Sequence, residues 1–301
     1  MPPLETENRT RTSWIEDDAE DQQDCALVDE VRNGSSEALE ALIRRHQRFL
    51  YNLAVRMLYR PQDAEDATQE ILIKLVTKLS TFEGRSRFRT WLYRIAMNHL
   101  LNMKRGSMEP ETLTFTDYGS CLEGTLDQEL PDPRETPVDV KLLIDEARIG
   151  CTMAMLLCLD REQRLIYVLG EILGITDAVG AELLDISKAA FRQKLSRTRQ
   201  DLHGFLKGQC GLIDKTNPCR CDKKTRGFMK SGYVNPENLL FARERVQHLR
   251  EVAGKHSEEV HAYDGLCSDL YREHPYLEVA DIATRIREVM THPDFQKTFH
   301  V

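Results

Sequence analysis

Apolar residues recur at three- and four-residue spacing along most of the chain and rarely alternate, so the elements it predicts are helices. From Ser36 to Tyr59 the positions Leu39, Leu42, Ile43, His46, Leu50, Leu53 and Met57 share one face, with Ser35 or Ser36 as N-cap and Pro61 as breaker. A second helix is expected from about Asp63 to Leu79, with Ala64, Ala67, Ile71, Leu75 and Leu79 on one side. After a turn at Gly84, a third runs from Phe88 to Met103 and carries Phe88, Trp91, Leu92, Ile95, Ala96 and Leu100. Between Met108 and Val138 the periodicity lapses and Pro110, Pro131, Pro133 and Pro137 enter, which reads as a linker. Helices resume near Val140. Leu159 to Leu206 forms a compact helical unit with a break at Gly174 and a cap at Thr176, and an irregular stretch follows from Gly208 to Gly232. Asn235-Pro236 suits the start of a further helix, with stripes Leu239, Ala242, Val246, Leu249, Ala253 and then Val279, Ile282, Ile286, Val289. The expected fold is all-α: two small helical domains joined by a flexible acidic linker, plus a helical C-terminal extension.

Composition supports a folded chain. Of 301 residues, 41% are apolar and 30% charged, enough for a buried core. No apolar run approaches the roughly 20 residues that span a bilayer, and Met1 to Glu30 lacks the basic-then-apolar order of a signal peptide. A cytoplasmic protein is expected, with its eight cysteines as reduced thiols or metal ligands. The net charge of −8 is unevenly spread. Residues 1–30 hold ten acids and two bases, and residues 106–150 hold eleven acids and three bases, so the remainder is net positive. The first stretch is expected to be an acidic disordered N-terminus.

The positive charge sits in two segments. Gly84 to Arg105 has six bases and no acid, with Phe82, Phe88, Trp91 and Tyr93 among them. Positive charge neutralises phosphates, and aromatic faces stack on unpaired bases. The plainer reading, preferred for Trp91 and Ile95, is an apolar stripe facing the core. The second segment, Ile175 to Leu202, reads as a helix-turn-helix. Thr176 caps a short helix, Asp185-Ile186 makes the turn, and Ser187 caps a second helix whose Phe191 and Leu195 face the first. Ser187, Lys188, Ala189, Arg192, Gln193, Ser196 and Arg197 fall on the outer side, where Arg suits guanine and Gln adenine. A helical hairpin with a solvated basic face is the alternative.

Together the segments resemble a known family. Asp63 to Arg105, DAEDATQEILIKLVTKLSTFEGRSRFRTWLYRIAMNHLLNMKR, resembles region 2 of bacterial sigma-70 family factors of the extracytoplasmic-function group, and Leu159 to Leu202 resembles region 4. The resemblance implies that Asp63, Asp66, Gln69 and Glu70 dock on the clamp helices of core RNA polymerase. It implies that the loop Glu83–Ser86 and Asn98 hold the melted −10 strand, with phosphate contacts from Arg85, Arg87, Arg89 and Arg94, and that the helix-turn-helix reads the −35 duplex while region 4 meets the polymerase flap. The implied layout is region 2 over 31–106, an acidic linker over 107–139, region 4 over 140–207 and a Cys-containing, regulatory extension over 208–301. A regulatory protein is a further implied partner, and no membrane is.

Departures from the family pattern are Asp185 for the usual turn Gly, Gly180 for Ala, Asn102 for a frequent Asp, and Ala189-Ala190 for Gly-Thr. Asp tolerates the left-handed conformation, whereas Gly180 is expected to cost up to about 1 kcal/mol of helix stability. His203, Cys210, Cys219 and Cys221 are candidate ligands for a structural or sensory Zn, although no cofactor is required. Basic flanks would instead make these thiols redox-reactive, and thiols merely packing a loop are the third reading. Cys25, Cys121, Cys151, Cys158 and Cys267 are isolated in sequence, and His248, His256, His261, His274, His292 and His300 are scattered. An operator-binding regulator would leave the Asp63–Arg105 block unexplained; no P-loop, G-x-G-x-x-G, G-x-S-x-G or H-E-x-x-H motif occurs, and a nuclease is the one enzymatic reading kept.

Overall fold

The computed structural model describes residues 17–103, 113–134, 136–241, 282–284 and 286. Within the acidic N-terminal stretch, Asp17 accepts hydrogen bonds from the amides of Ala19 and Glu20 at 3.0 and 3.3 Å and starts helix α1, Asp18–Arg32. Asp18, Glu20 and Asp21 lie in its first turn, where the helix dipole favours anions. The expectation of disorder through residue 30 is therefore corrected from Asp18 onward. Val28 is buried, and Cys25, Leu27 and Val31 pack on the core.

Ser35 caps α2, Ser36–Leu58, by accepting from the Ala38 amide at 3.1 Å. Pro61 begins the next helix, α3, Pro61–Lys78, where its missing N–H costs nothing. A 3-10 turn, Leu79–Thr81, leads to α4, Phe88–Asn102. Helix α2 is buried along most of its length against α1, α3 and α4.

The acidic linker contains α5, Phe115–Gly124, closed by a capping box between Thr114 and Asp117. Then come α6, Val140–Leu156, and α7, Arg161–Tyr167, which runs into a π turn over Val168–Ile172. Helix α8, Asp177–Leu184, is followed by α9, Lys188–Gln209, and α10, Cys221–Lys230. Phe115 and Tyr118 of α5 stack on Phe205 of α9 at 5.2 and 6.2 Å. This part of the linker is thus docked, not flexible. No strand occurs among the described residues; the protein is all-α.

The turn between α8 and α9 forms as its residues dictate. Thr176 Oγ1 accepts from Val179 N at 3.3 Å, Asp185 adopts φ 55°, ψ 44°, and Ser187 Oγ accepts from Ala190 N at 3.1 Å. Gly180 has a packing role that its helix propensity hides. A Cβ there would stand 2.4 Å from the buried Phe191 ring, so glycine lets α9 approach α8.

The N-terminal helices and the helix-turn-helix unit share one continuous core. Arg164 of α7 is 1% exposed and donates to the carbonyls of Leu156, Leu159 and Met57 at 2.9, 3.0 and 2.5 Å, the last across the two units. Arg161 donates to the carbonyls of Leu100, Leu101 and Met103 at the end of α4. The C-terminal extension adds a second clasp. Helix α10 packs on α6, and the buried Glu146 of α6 accepts from the amides of Leu240 and Phe241 at 2.7 and 2.9 Å. Phe241 also meets edge-on the ring of Tyr59, which ends α2 at φ 72°. Asn235 caps a turn through the Glu237 amide, and residues 235–241 do not form the expected helix start. Ile282 and Ile286 are helical and buried; Ala242, Val246, Leu249, Ala253, Val279, Val289, Cys267 and the six scattered histidines lie outside the described residues.

Candidate nucleic-acid interface and cysteine pocket

Helix α3 turns Ala64, Ala67, Ile71 and Leu75 into the core, which leaves its polar residues outside. Asp66 and Glu70 are exposed, and Asp63 and Gln69 half-buried, on a face free for a partner. Glu70 lies 3.4 Å from His99 Nε2 of α4.

The basic segment of α4 is more occupied than its composition suggests. Arg85 is exposed and pairs with Glu83 beside Gly84, whose φ of 70° makes the turn. Arg87 meets Asp18 of α1 at 2.6 Å. Arg89 is 7% exposed, with its Nε 2.8 Å from Asp24 and its Nη2 2.5 Å from Glu20. Arg45 of α2 repeats the pattern at 2.8 and 2.5 Å. A guanidinium so enclosed cannot reach a phosphate, so Arg89 holds α1 to α4, a correction to its expected role. Arg94 donates to the carbonyl of Glu182 in α8 at 3.0 and 2.6 Å. Asn98 is exposed. Phe82 and Phe88 are buried and stack with the half-buried Trp91 at 5.4–5.7 Å, so these rings serve packing.

Asp24 is the electrostatic centre of this network. Burial alone would raise its carboxyl, but His46 at 3.3 Å, Arg89 and Arg45 overcome that and hold it at about 2. Burial pushes His46 down, and Tyr93 Oη lies 3.1 Å from its Nδ1.

On α9 the sequence placed its outer face correctly. Phe191 and Leu195 are buried, while Ser187, Lys188, Ala189, Arg192, Gln193, Ser196 and Arg197 are all exposed. Arg192 rests 2.5 Å from Asp177. Arg199, further along, is drawn back to Glu171.

The candidate metal residues separate into two places. His203 is buried with its Nε2 2.9 Å from Tyr167 Oη. Cys210, Cys219 and Cys221 line an enclosed pocket of about 20 Å³ together with Cys151 of α6. Sequence reasoning missed Cys151, since nothing local connects it to residues 59 or more positions away. Tyr118 Oη donates to its sulfur at 3.3 Å. Burial raises all four thiols, Cys221 to about 12, and outweighs the basic flanks expected to lower them.

With this geometry in place, comparison with known proteins is informative. Residues 42–108 match the family model described as Sigma-70 region 2. The RNA polymerase sigma-H factor of Pseudomonas aeruginosa is 31% identical over 182 residues, covering 60% of this chain and 91% of that protein. The ECF RNA polymerase sigma-E factor of Haemophilus influenzae is 30% identical over 185 residues, covering 60% and 94%. A solved structure of CnrH in complex with the cytosolic domain of CnrY aligns with 62% of this chain and 97% of that chain at 22% identity and a TM-score of 0.43.

Proposed function

The chain belongs to the extracytoplasmic-function RNA polymerase sigma factors of the sigma-70 family and acts in transcription initiation, and from that premise we propose which of its surfaces meet polymerase and promoter. The polar face of α3, Asp63, Asp66, Gln69 and Glu70, docks on the clamp of core RNA polymerase. Arg85, Arg87, Arg94 and Asn98 contact the melted −10 strand, with phosphate neutralisation offsetting the few kcal/mol of base unstacking. Helix α9 enters the major groove of the −35 element through Ser187, Lys188, Ala189, Arg192, Gln193, Ser196 and Arg197. Residues 140–207, as region 4, also meet the polymerase flap, and a regulatory protein is a further partner. The chain supplies specificity and opening; it does no chemistry itself.

The single observation that carries this reading is the fully exposed outer face of α9, set by caps at Thr176 and Ser187 and a left-handed Asp185. The contact of α4 with α8 has to open before both elements reach DNA, because Arg94 is held by Glu182. No helix of the described residues is long and apolar enough to cross a membrane.

Multi-round transcription with core polymerase and genomic fragments tests the reading. Discrete transcripts appearing only with the protein, and −35 preference altered by Arg192→Ala and Gln193→Ala, are the expected result. Tight duplex binding without transcripts or co-migration with core polymerase would overturn the assignment of these surfaces.

A further inference from the structure

Three of the four pocket cysteines come from one short loop. Cys210 ends α9, Cys221 begins α10, and Cys219 lies between them. The loop closes on itself through a parallel bridge between Cys210 and Cys219, in which the Gly211 amide donates to the Cys219 carbonyl at 3.1 Å. A Cβ on Gly211 would stand 2.4 Å from that carbonyl, so the approach needs glycine. The amides of Ile213 and Asp214 donate to the Cys210 carbonyl at 3.1 and 3.0 Å and fix the turn that follows α9.

Cys151 enters from the other side, on α6. The remaining pocket wall is apolar apart from Arg148, Thr152 and Gln209, none of which rivals a thiolate as a ligand. Arg148 Nε and Arg220 Nη1 are buried N–H groups without a hydrogen-bond partner, while the other ends of these guanidinium groups are engaged, Arg148 in an ion pair with Asp145 and Arg220 with the Lys215 carbonyl. A buried, unpartnered N–H on a cation is costly and calls for a negative acceptor. Four neutral thiols do not supply one; a metal bound by four thiolates does, since a dication with four thiolates carries two net negative charges.

We infer that Cys151, Cys210, Cys219 and Cys221 form a tetrahedral thiolate site for a soft d10 metal ion, Zn²⁺ in the first place, with the spare N–H of Arg148 in its wall. Among the described residues no three His, Cys, Asp or Glu side chains stand at ligand geometry as placed. Binding therefore requires the four sulfurs to turn inward about χ1 onto the pocket of about 20 Å³ that they line. Each thiol gives its proton to solvent as the metal binds. His203 is not a ligand; its ring stays with Tyr167. The ion would tie three residues of the extension to α6, so the metal acts as a staple between the helix-turn-helix unit and its C-terminal appendage. This site stands independently of the surfaces proposed for polymerase and promoter.

The test uses the full-length protein, purified reduced and without chelator. Metal analysis should find about one zinc per chain. Cobalt titration should give intense visible bands of tetrahedral Co²⁺ together with sulfur-to-metal charge transfer. Cys151→Ser should lose the metal and the charge-transfer band intensity, whereas Cys158→Ser, in the turn after α6 and outside the pocket, should keep both. Where Cys151→Ser fails to fold, the wild-type cobalt spectrum still decides. A wild-type protein that takes up neither Zn²⁺ nor Co²⁺ overturns the inference. So does a mass lower by two hydrogens from a Cys210–Cys219 disulfide in the reduced preparation, and so does a Cys158→Ser variant that loses metal as Cys151→Ser does.

Discussion

The guanidinium of Arg94 donates twice to the carbonyl of Glu182, at 3.0 Å from Nε and 2.6 Å from Nη2, and so fastens α4 to α8. Glu182 lies in the last turn of α8, where the helix dipole favours a cation. Arg161 makes the reciprocal contact with the last carbonyls of α4. Each contact is at or near the surface, where such bonds contribute about 1 kcal/mol. A compact 301-residue chain has a radius of gyration of about 19 Å. The Arg94→Ala, Arg161→Ala double variant is expected to exceed the wild type in small-angle scattering. Identical scattering curves would mean that the shared apolar core, not these arginines, holds the units together.

Asp24 is expected to govern acid stability. Its carboxyl sits at about 2 when folded, against 3.8 unperturbed, so the folded state binds its proton less readily than the unfolded chain. The resulting stability is fully present above about pH 4 and is lost as pH falls toward 2. It is worth on the order of 2 kcal/mol. Asp24→Asn removes the shared counter-charge of Arg45 and Arg89 and should cost about 3 kcal/mol at neutral pH. Urea unfolding of both proteins from pH 2 to pH 7 reads this: the gap should shrink in acid, and a pH-independent gap would remove Asp24 from this role.

Gly180→Ala sets helix propensity against packing. Alanine favours an isolated helix by up to about 1 kcal/mol. The added methyl, however, meets the Phe191 ring at 2.4 Å, and overpacking of this kind costs about 1–3 kcal/mol. The expected net effect is destabilisation, seen as a lower Tm. A raised Tm would show that Phe191 yields freely.

Arg192, Gln193 and Lys188 should separate by kind of contact. Losing a side chain that reads a base edge costs about 1–3 kcal/mol and relaxes preference at one position of the −35 element. Losing a phosphate contact weakens all sequences alike and reduces the salt slope by about one. Arg192→Ala and Gln193→Ala are expected to behave in the first way, Lys188→Ala in the second. Binding to a degenerate −35 duplex library across a salt series distinguishes them; uniform losses for all three would place α9 off the base edges.

The helix-turn-helix was legible because its signals are local. Thr176, Asp185 and Ser187 act within three residues of themselves, and Phe191 with Leu195 repeats the helical period. Helix α1 was not, because acidic composition outweighed a visible stripe of Leu27, Val28 and Val31 and a good cap at Asp17. What makes that helix fold is an ion-pair partner 65 positions away, Arg89, which no window over the sequence brings together with Asp24. The same distance hid Cys151 from its three companions and let His203 stand in its place, although His203 was already committed to Tyr167. Arg89 looked like its neighbours Arg85 and Arg87 in composition; only the helical phase, which turns it inward beside Phe88, separates them.

The docking of α5 against Phe205 shortens a tether. A fully extended stretch as long as 104–139 spans up to about 120 Å. With α5 seated on α9, and with the Gln128 amide donating to the Lys223 carbonyl at 3.0 Å and Lys224 to the Thr125 carbonyl, the stretch from Thr114 to Gln128 is fastened to the C-terminal half of the chain. While α5 stays in place, fewer residues can separate the two surfaces proposed to meet DNA than the length of the linker suggests, and its docking ties their spacing to the packing of Phe205.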